Sequence, residues 1–571
     1  MAVDLNILIG GEAGQGVQSI GLILSKVFTR GGYHVFTDQD YESRIRGGHS
    51  FCRVRIKDTQ VQAISESVDL LVALNRESVD LHEKEVVSTG LIIAENDKYA
   101  GGDNKKIFVL PMSELAKNKA GNPLTANSVA LGALMAITGY ELELLQNVFK
   151  DHFKDNHVLQ QNITAAVEGY TYTKNNVKSS FHHQVHARED THKIVMDGNE
   201  AVALGALAAG CKFVSAYPMT PSTPVIEYMA SKENEMGLAV IQAEDEISAI
   251  NMTIGAAFAG VRSMTATSGG GFCLMVEGFG LAGMTETPIV IAYGQRPGPA
   301  IGLPTRMEQG DLQFVLRASH GEFPRAVFAP GTIEEAFWLT VKAFNMAEKY
   351  QIPVVILYDH YLADSYNTVN RFDMTTVTID RGLILGSDEL NSIKDYKRHK
   401  ITPNGVSPRA FPLAGEPLVV TDSDEHNEAG HMIEDAETRT LMMQKRMRKL
   451  FSLRQDIQPP KLYGPKNAGS TLIGWGSTFG PLKEAIDLLH HENISVNMVH
   501  YSEIWPFYKE TMVDIMAHSQ HTFTVENNFT GQFADLIAQE TGNLVSGRIV
   551  KYDGRPFSPE YIVREFNKMG G

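Results

Sequence analysis

The chain is predicted to fold as a multidomain α/β protein. Three observations lead there: its length, a repeated alternation of strand-length apolar runs with helix-length stretches, and glycine- or proline-rich turns at the carboxyl ends of those runs. At 571 residues the chain is too long for one hydrophobic core, and at 100–200 residues per domain it holds roughly three or four. Strand-then-helix repetition builds parallel sheets with helices on both faces, and such sheets bind ligands beyond the carboxyl ends of their strands.

The first block, 1–175, opens with Val3–Ile9 as a buried strand, followed by Gly10, Gly11, Gly14 and Gly16 and a helix pattern through Leu22, Leu24 and Val27. The spacing Gly14-x-Gly16-x-x-Ser19 is a degenerate dinucleotide fingerprint. It serves either to bring backbone N–H groups and a helix N-terminus to phosphate or simply to make a tight turn. Strands at Leu70–Leu74, Leu91–Glu95 and Lys106–Leu110 complete an expected parallel sheet. Residues 176–192 form a polar linker. His182, His183 and His186 lie in it without a nearby cysteine or second ligand pair, so they read as a solvated loop, and no metal site is expected in this chain.

The second block, 193–385, has the clearest rhythm. Strand Lys193–Met196 opens it, with Asn199 as a candidate N-cap and Gly210 closing an Ala-rich helix. Strands Phe213–Ala216, Leu238–Gln242, Ser263–Thr267 and Pro288–Tyr293 alternate with helices Val225–Glu235, Ile247–Ala259 and Met275–Ala282, the last preceded by a glycine-rich turn, Ser268–Gly271. Tyr217–Thr223, Glu244–Glu246, Ser268–Gly271 and Gln295–Thr305 all fall at strand carboxyl ends, so four candidate segments converge on one edge. In Tyr217-Pro-Met-Thr-Pro-Ser-Thr223 two prolines fix the backbone around the Thr220 hydroxyl, as positioning a carbonyl requires. The same segment also suits a helix cap through Ser222 or Thr223. Glu246 heads a helix, where complementing the helix dipole alone is worth about 0.3–1 kcal/mol. Arg296 carries the planar fork that meets a carboxylate through two parallel hydrogen bonds.

Residues 386–465 break the rhythm with Pro403, Pro408, Pro412 and Pro417, a polar run Asp422–His431 and a basic helix Ala436–Leu453. The stripe Met443, Met447 and Leu450 reads as core packing, and His426, Glu428 and His431 as a hydrogen-bonded loop. The last block, 466–571, is a four- or five-stranded α/β domain. Its strands are Ser470–Gly474, Val496–His500 and Thr522–Glu526, its helices Leu482–His490 and Lys509–His518, and Glu526–Gln532 is a candidate interface or ligand loop at a strand end.

A formal charge of −16 argues against nucleic acid or an anionic membrane as partner. No stretch approaches the ~20 apolar residues of a span, and Asp4 stands where a signal peptide wants positive charge, so a cytoplasmic protein is expected. Cys52, Cys211 and Cys273 are far apart, cannot supply four cluster thiolates, and are expected to be reduced and buried.

With the phrases Tyr217–Thr223, Glu244–Ala249, Gly255-Ala-Ala-Phe-Ala-Gly260 and Tyr41-Glu-Ser-Arg-Ile-Arg-Gly-Gly48, the chain resembles the alpha subunits of the 2-oxoacid:ferredoxin oxidoreductases, most closely the 2-oxoglutarate enzymes. The resemblance implies that the first block is a gamma domain fused ahead of alpha and associated with coenzyme A. It implies that the second is the transketolase-like pyrimidine-binding domain for thiamine diphosphate (TPP), and the last a transketolase-C-like domain. It assigns Glu246, with Glu244 as second choice, to the carboxylate that favours the imino tautomer of the cofactor. Tyr217, Pro218, Ser268 and Gly269 fall to the cofactor wall and Thr220 to the 2-oxo group. Arg296 takes the substrate carboxylate, while Thr305 and Ile301 line the substrate loop. Ala300-Ile301 replaces the Ser-Thr pair of 2-oxoglutarate members, which removes a hydroxyl; Thr305 and Arg306 keep the pattern.

Gly14 and Gly16 would cradle coenzyme A phosphates with Arg44 and Arg46, residues that surface or interdomain salt bridges would equally suit. The Gly-Asp-Gly…Asn magnesium pattern is missing, as are cluster cysteines. A beta subunit is therefore expected to carry Mg and a [4Fe-4S] cluster, to pass electrons to ferredoxin, and to assemble as (alpha–beta)2. Two rivals are an indolepyruvate:ferredoxin-type enzyme and a non-catalytic nucleotide-binding assembly protein.

Overall fold

In the computed structural model, which describes residues 3–43, 47–96, 106–177, 181–188 and 193–570, apolar strands assemble three sheets. The chain divides into two units: Met1–Asp197 with Asp364–Phe372 and Ser558–Tyr561, and the remainder.

The first unit holds an eight-stranded sheet in the order Ile107–Val109, Val86–Ala94, Val68–Ala73, Asp4–Glu12, His49–Lys57, His34–Asp40, Asn367–Asn370, Lys193–Met196. The first four strands are mutually parallel and the other pairings antiparallel. The sheet is therefore mixed, and the strands expected from sequence are its parallel half. His34–Asp40 and His49–Lys57 escape an apolar-run reading because they carry Asp38, Asp40, Arg53 and Arg55. Arg55 is nonetheless buried, its guanidinium paired with both oxygens of Asp4 at 2.9 and 2.8 Å.

Lys193–Met196, expected to open the second block, is instead an edge strand of this sheet, paired with Asn367–Asn370. Helices Ala126–Thr138 and Asn156–Asn176 pack so closely that a Cβ on Gly132 or Gly169 would collide with the facing backbone carbonyl of Ala166 or Val129. Glycine is required there for the approach, not for flexibility.

The second unit holds a seven-stranded sheet in the order Glu503–Trp505, Ala326–Phe328, Pro353–Asp359, Ile289–Gln295, Ser263–Ser268, Phe213–Ala216, Ala239–Gln242, and a five-stranded one built on Ser470–Trp475. Each is parallel except for one edge strand. The multidomain α/β layout read from the sequence is borne out. Ser268–Gly271 is not a turn, however: the helix Gly269–Met284 begins with the glycines themselves.

The irregular region 386–465 is held by charge. Helix Ala436–Gln455 buries Met442, Lys445, Arg446, Lys449 and Leu453, whereas Met443, Met447 and Leu450, expected as the packed stripe, are only half-buried. Its buried cations meet carboxylates. Lys445 lies 2.5 Å from Glu286, Lys449 also pairs with Glu286, and Arg446 pairs with Glu425. Burial would raise the Glu286 carboxyl, but Lys445 and Lys449 hold it well below the usual range. Burial pushes Lys449 down to about 7. A second cluster gathers Arg262, Arg381 and Arg409 on Glu348. Removing one partner of such a set leaves an uncompensated buried charge.

His426, Glu428 and His431 do form a hydrogen-bonded loop: Glu428 accepts from Ile401 N–H at 2.8 Å, and Asn427 N–H donates to the His431 carbonyl. Among the described residues no helix is long and apolar enough to cross a membrane. Cys52 and Cys211 are buried, burial pushing the Cys211 thiol up to about 12, but Cys273 is exposed, contrary to expectation.

Candidate active site

In the second unit the four predicted segments follow four neighbouring strands at their carboxyl ends. After Phe213–Ala216 the chain turns through exposed Tyr217 and half-buried Pro218. Ser222 does not cap the following helix with its side chain. Its hydroxyl donates to the Thr267 carbonyl at 2.9 Å and the Met219 carbonyl at 3.0 Å, tying the turn to the adjacent strand. From beneath, Tyr358 donates to Asn199, and Asn199 donates to the Pro221 carbonyl, each at 3.0 Å. Thr220 thus sits on a turn fixed from two sides.

Arg296 Nη1 donates to the Thr220 carbonyl at 2.9 Å, so these two predicted residues are neighbours. The guanidinium is half-buried; burial lowers its pKa while Asp311 opposes the shift. The loop beyond it carries Ile301 outward, 66 % exposed, whereas Thr305 is buried.

Glu246 is the first residue of helix Glu246–Phe258, behind Asp245, whose side chain caps the helix by accepting from Ser248 N–H at 2.7 Å. Asp245 thus does the capping, and the Glu246 carboxylate is spared that duty. Glu246 is 5 % exposed, and a Cβ on Gly271 would lie 2.7 Å from its Oε1. Glycine at 271 opens the space into which this carboxylate reaches, which is why glycines occupy a helix start where they are otherwise unfavourable. Among the described residues Glu246 has no ion-pair partner. Glu244 is exposed.

Sequence reasoning missed the groups next to Ser268 and Gly269. The Tyr293 hydroxyl and Asp311 Oδ2 both face Gly269, where a Cβ would lie 3.2 and 3.0 Å away. The Gln295 side chain accepts from Asp311 N–H at 3.1 Å. Burial pushes the Asp311 carboxyl up to about 6, and burial with the Asp311 charge pushes Glu308 up to about 7. Among the described residues Ser268 Oγ and Gln295 Nε2 are buried without hydrogen-bond partners, so the strand ends present polar groups that a polar ligand or water would satisfy. Tyr293 and Gln295 lie in a strand legible only as an apolar run, and Asp311 has no motif around it.

In the first unit the loop after Asp4–Glu12 places Gly14 and Gly16 at positive φ, and Gly16 precedes helix Val17–Arg30 with no side-chain cap. A Cβ on Gly16 would lie 2.5 Å from Asn127 Nδ2, which donates to the Gln15 carbonyl at 2.7 Å, whereas among the described residues a Cβ on Gly14 would meet nothing within 4 Å. The open loop and uncapped helix N-terminus fit an anion site. Register pairs Gly11 with Ser50 and Glu12 with His49, and Ala13 N–H donates to the Gly48 carbonyl, so the last glycine of the Arg-Gly-Gly phrase lies beside the loop. Arg44 and Arg46 themselves lie outside the described residues. Buried His49 and His82 join through their Nε2 atoms, and His82 continues to half-buried Glu85, each step 2.8 Å.

Family comparison matches residues 204–445 to the thiamine-diphosphate-binding domain of pyruvate flavodoxin/ferredoxin oxidoreductases. Residues 6–172 match the pyruvate ferredoxin/flavodoxin oxidoreductase family, and residues 466–552 the transketolase C-terminal domain. The 2-oxoacid:ferredoxin oxidoreductase subunit alpha of a Sulfolobus species is 34% identical over 97% of this chain and 95% of its own length. The chain belongs to the 2-oxoacid:ferredoxin oxidoreductase alpha subunits.

Other members of this oxidoreductase family fit the same frame. The 2-oxoglutarate synthase subunit KorA of Methanothermobacter thermautotrophicus is 30% identical over 66% of this chain and 99% of its own. A solved 2-oxoglutarate:ferredoxin oxidoreductase from Magnetococcus marinus, with 2-oxoglutarate, coenzyme A and succinyl-CoA bound, superposes with a TM-score of 0.91 at 32% identity, covering 99% of both chains. The expected family, enzyme class and fold are thereby borne out, and the reading as a non-catalytic assembly protein finds no support. The oxidoreductase's thiamine match spans Thr220, Glu246, Ser268, Gly269 and Arg296. The residues present fit a thiamine: a buried carboxylate free of ion pairs, a glycine cradle that a Cβ would fill, and orphaned buried polar atoms.

Proposed function

We propose that this alpha subunit works in the CoA-dependent oxidative decarboxylation of 2-oxoglutarate, or a closely related 2-oxoacid, with electrons passing singly to ferredoxin. The carboxylation run in reverse uses the same site. Membership in the family and the ligands named for the Magnetococcus enzyme support the substrate class. The observation that carries the reading is the Glu246 carboxylate, buried and unpaired against Gly271, on the same strand edge as the Thr220–Arg296 pair.

TPP, when bound, supplies the carbon nucleophile for the 2-oxo carbon. Glu246 is the group that would hold a proton at the aminopyrimidine nitrogen, with Tyr217, Pro218, Ser268 and Gly269 as its wall. Arg296 binds the 1-carboxylate and orients it through a fork whose spare N–H is already anchored on Thr220. Thr220 positions the 2-oxo group, and Thr305 faces the distal end, where Ile301 contributes no hydroxyl. Coenzyme A phosphate is assigned to the Gly14–Gly16 loop with Arg44 and Arg46. The diphosphate magnesium and the [4Fe-4S] cluster are assigned to a beta subunit, in an (alpha–beta)2 assembly.

The test is ferredoxin or viologen reduction by the assembled enzyme. We expect strict CoA dependence and a kcat/KM for 2-oxoglutarate at least about tenfold above pyruvate, since a site built for a polar group discriminates against its absence. Equal use of pyruvate would reject the 2-oxoglutarate assignment.

A further inference from the structure

We propose that Asp69, His182 and His183 form a binding site for a divalent transition-metal ion of the zinc class, clipping the segment 181–188 to strand Val68–Ala73. Read in sequence, the two histidines belong to a solvated linker, because their carboxylate partner lies far upstream.

In the structure both Nε2 atoms converge on one oxygen. His182 Nε2 lies 3.8 Å and His183 Nε2 3.7 Å from Asp69 Oδ1, and the three ligand atoms all lie within 4.8 Å of one another. These separations exceed a hydrogen bond. The two Asp69–imidazole separations stand about 0.4–0.5 Å above the ~3.3 Å edge of a tetrahedron with ~2.0–2.1 Å metal–ligand bonds, so a small inward movement of the rings would close the site on an ion.

The ligands are held from behind, as metal ligands are. Asp69 Oδ2 accepts from Asn6 N–H at 2.8 Å and sits 3.5 Å from Asn6 Nδ2, leaving Oδ1 turned toward the rings. Buried Phe181 contacts both imidazoles, at ring separations of 4.7 and 5.8 Å. The segment itself is anchored by Val185 N–H on the Thr138 carbonyl at 2.8 Å and Arg188 N–H on the Gly31 carbonyl at 2.9 Å.

Exposure of 10 % for Asp69, 23 % for His183 and 38 % for His182 leaves an open side for a water as fourth ligand. Two imidazoles and one carboxylate suit zinc or cobalt rather than calcium or magnesium. Asp69 and Asn6 lie near the amino ends of their strands, whereas the glycine loop follows a carboxyl end, so the site is a staple rather than part of the reaction.

The experiment titrates Zn2+ into the tag-free alpha–beta complex, chelator-stripped and then saturated with TPP and Mg2+, by calorimetry, with Co2+ absorption as a geometry probe. Wild type is expected to take up one ion per alpha chain, with tetrahedral Co2+ bands and a rise in Tm. Asp69→Asn and the double variant His182→Gln/His183→Gln should lose at least about 100-fold in affinity, the scale on which even outer-shell contacts act. His186→Gln should match wild type, since that ring stands 75 % exposed beside Glu141. Should Asp69→Asn fail to fold, the single ring variants carry the test. Absence of binding, or binding that survives Asp69→Asn or both ring changes, would overturn the proposal.

Discussion

Replacing Glu246 by Gln is expected to slow 2-oxoacid turnover by about 10²–10⁴-fold, the usual contribution of a positioned acid–base group, and to slow deuterium exchange at C2 of the bound thiamine in parallel. The physical reason is local. Asp245 already caps the helix, Glu246 has no ion-pair partner among the described residues, and Gly271 keeps open the space before its Oε1. A carboxylate held there only for the helix dipole would be worth a few tenths of a kcal/mol, and its loss would change stability slightly and activity little. Glutamine preserves shape and packing, so the complex should assemble with near-native Tm. Exchange at the wild-type rate would remove Glu246 from the chemistry.

Arg296→Ala is expected to raise KM for the 2-oxoacid by about 10²–10⁴-fold. Two charge-assisted hydrogen bonds to a carboxylate contribute about 1.5–3 kcal/mol each, and each 1.4 kcal/mol is a factor of ten. The substitution also frees the Thr220 carbonyl, held by Arg296 at 2.9 Å, so a smaller fall in kcat should accompany the rise. Arg296→Lys separates the two roles: it keeps a cation but loses the fork, and should restore only part of the affinity. An unchanged KM in the alanine variant would reject the carboxylate assignment.

Much of the site edge is legible in the sequence because parallel strands buried on both faces read as continuous apolar runs, and their carboxyl ends are marked by Gly, Pro and Thr. Phe213–Ala216, Ser263–Ser268 and Ile289–Gln295 are found that way. What escapes has identifiable causes. His34–Asp40 and His49–Lys57 carry charge that tertiary pairing neutralises, so no apolar run announces them. Gly269–Gly271 resembles a turn because glycine opposes helix, yet its missing side chains are what admit Glu246 and Asp311. The buried face of Ala436–Gln455 is cationic because Glu286, distant in sequence, and Glu425, in the loop before the helix, receive it. Asp69 and the His182–His183 pair illustrate the same limit: residues distant along the chain converge only through the fold.

The most direct test of the central claim is a calorimetric titration of TPP with Mg2+ into the alpha chain alone, the beta subunit alone and the assembled complex. We expect tight binding, and 2-oxoacid oxidation, only in the assembly, as the proposed sharing of the cofactor between an aminopyrimidine wall on alpha and a diphosphate end on its companion requires. Tight binding and turnover by the alpha chain alone would contradict it.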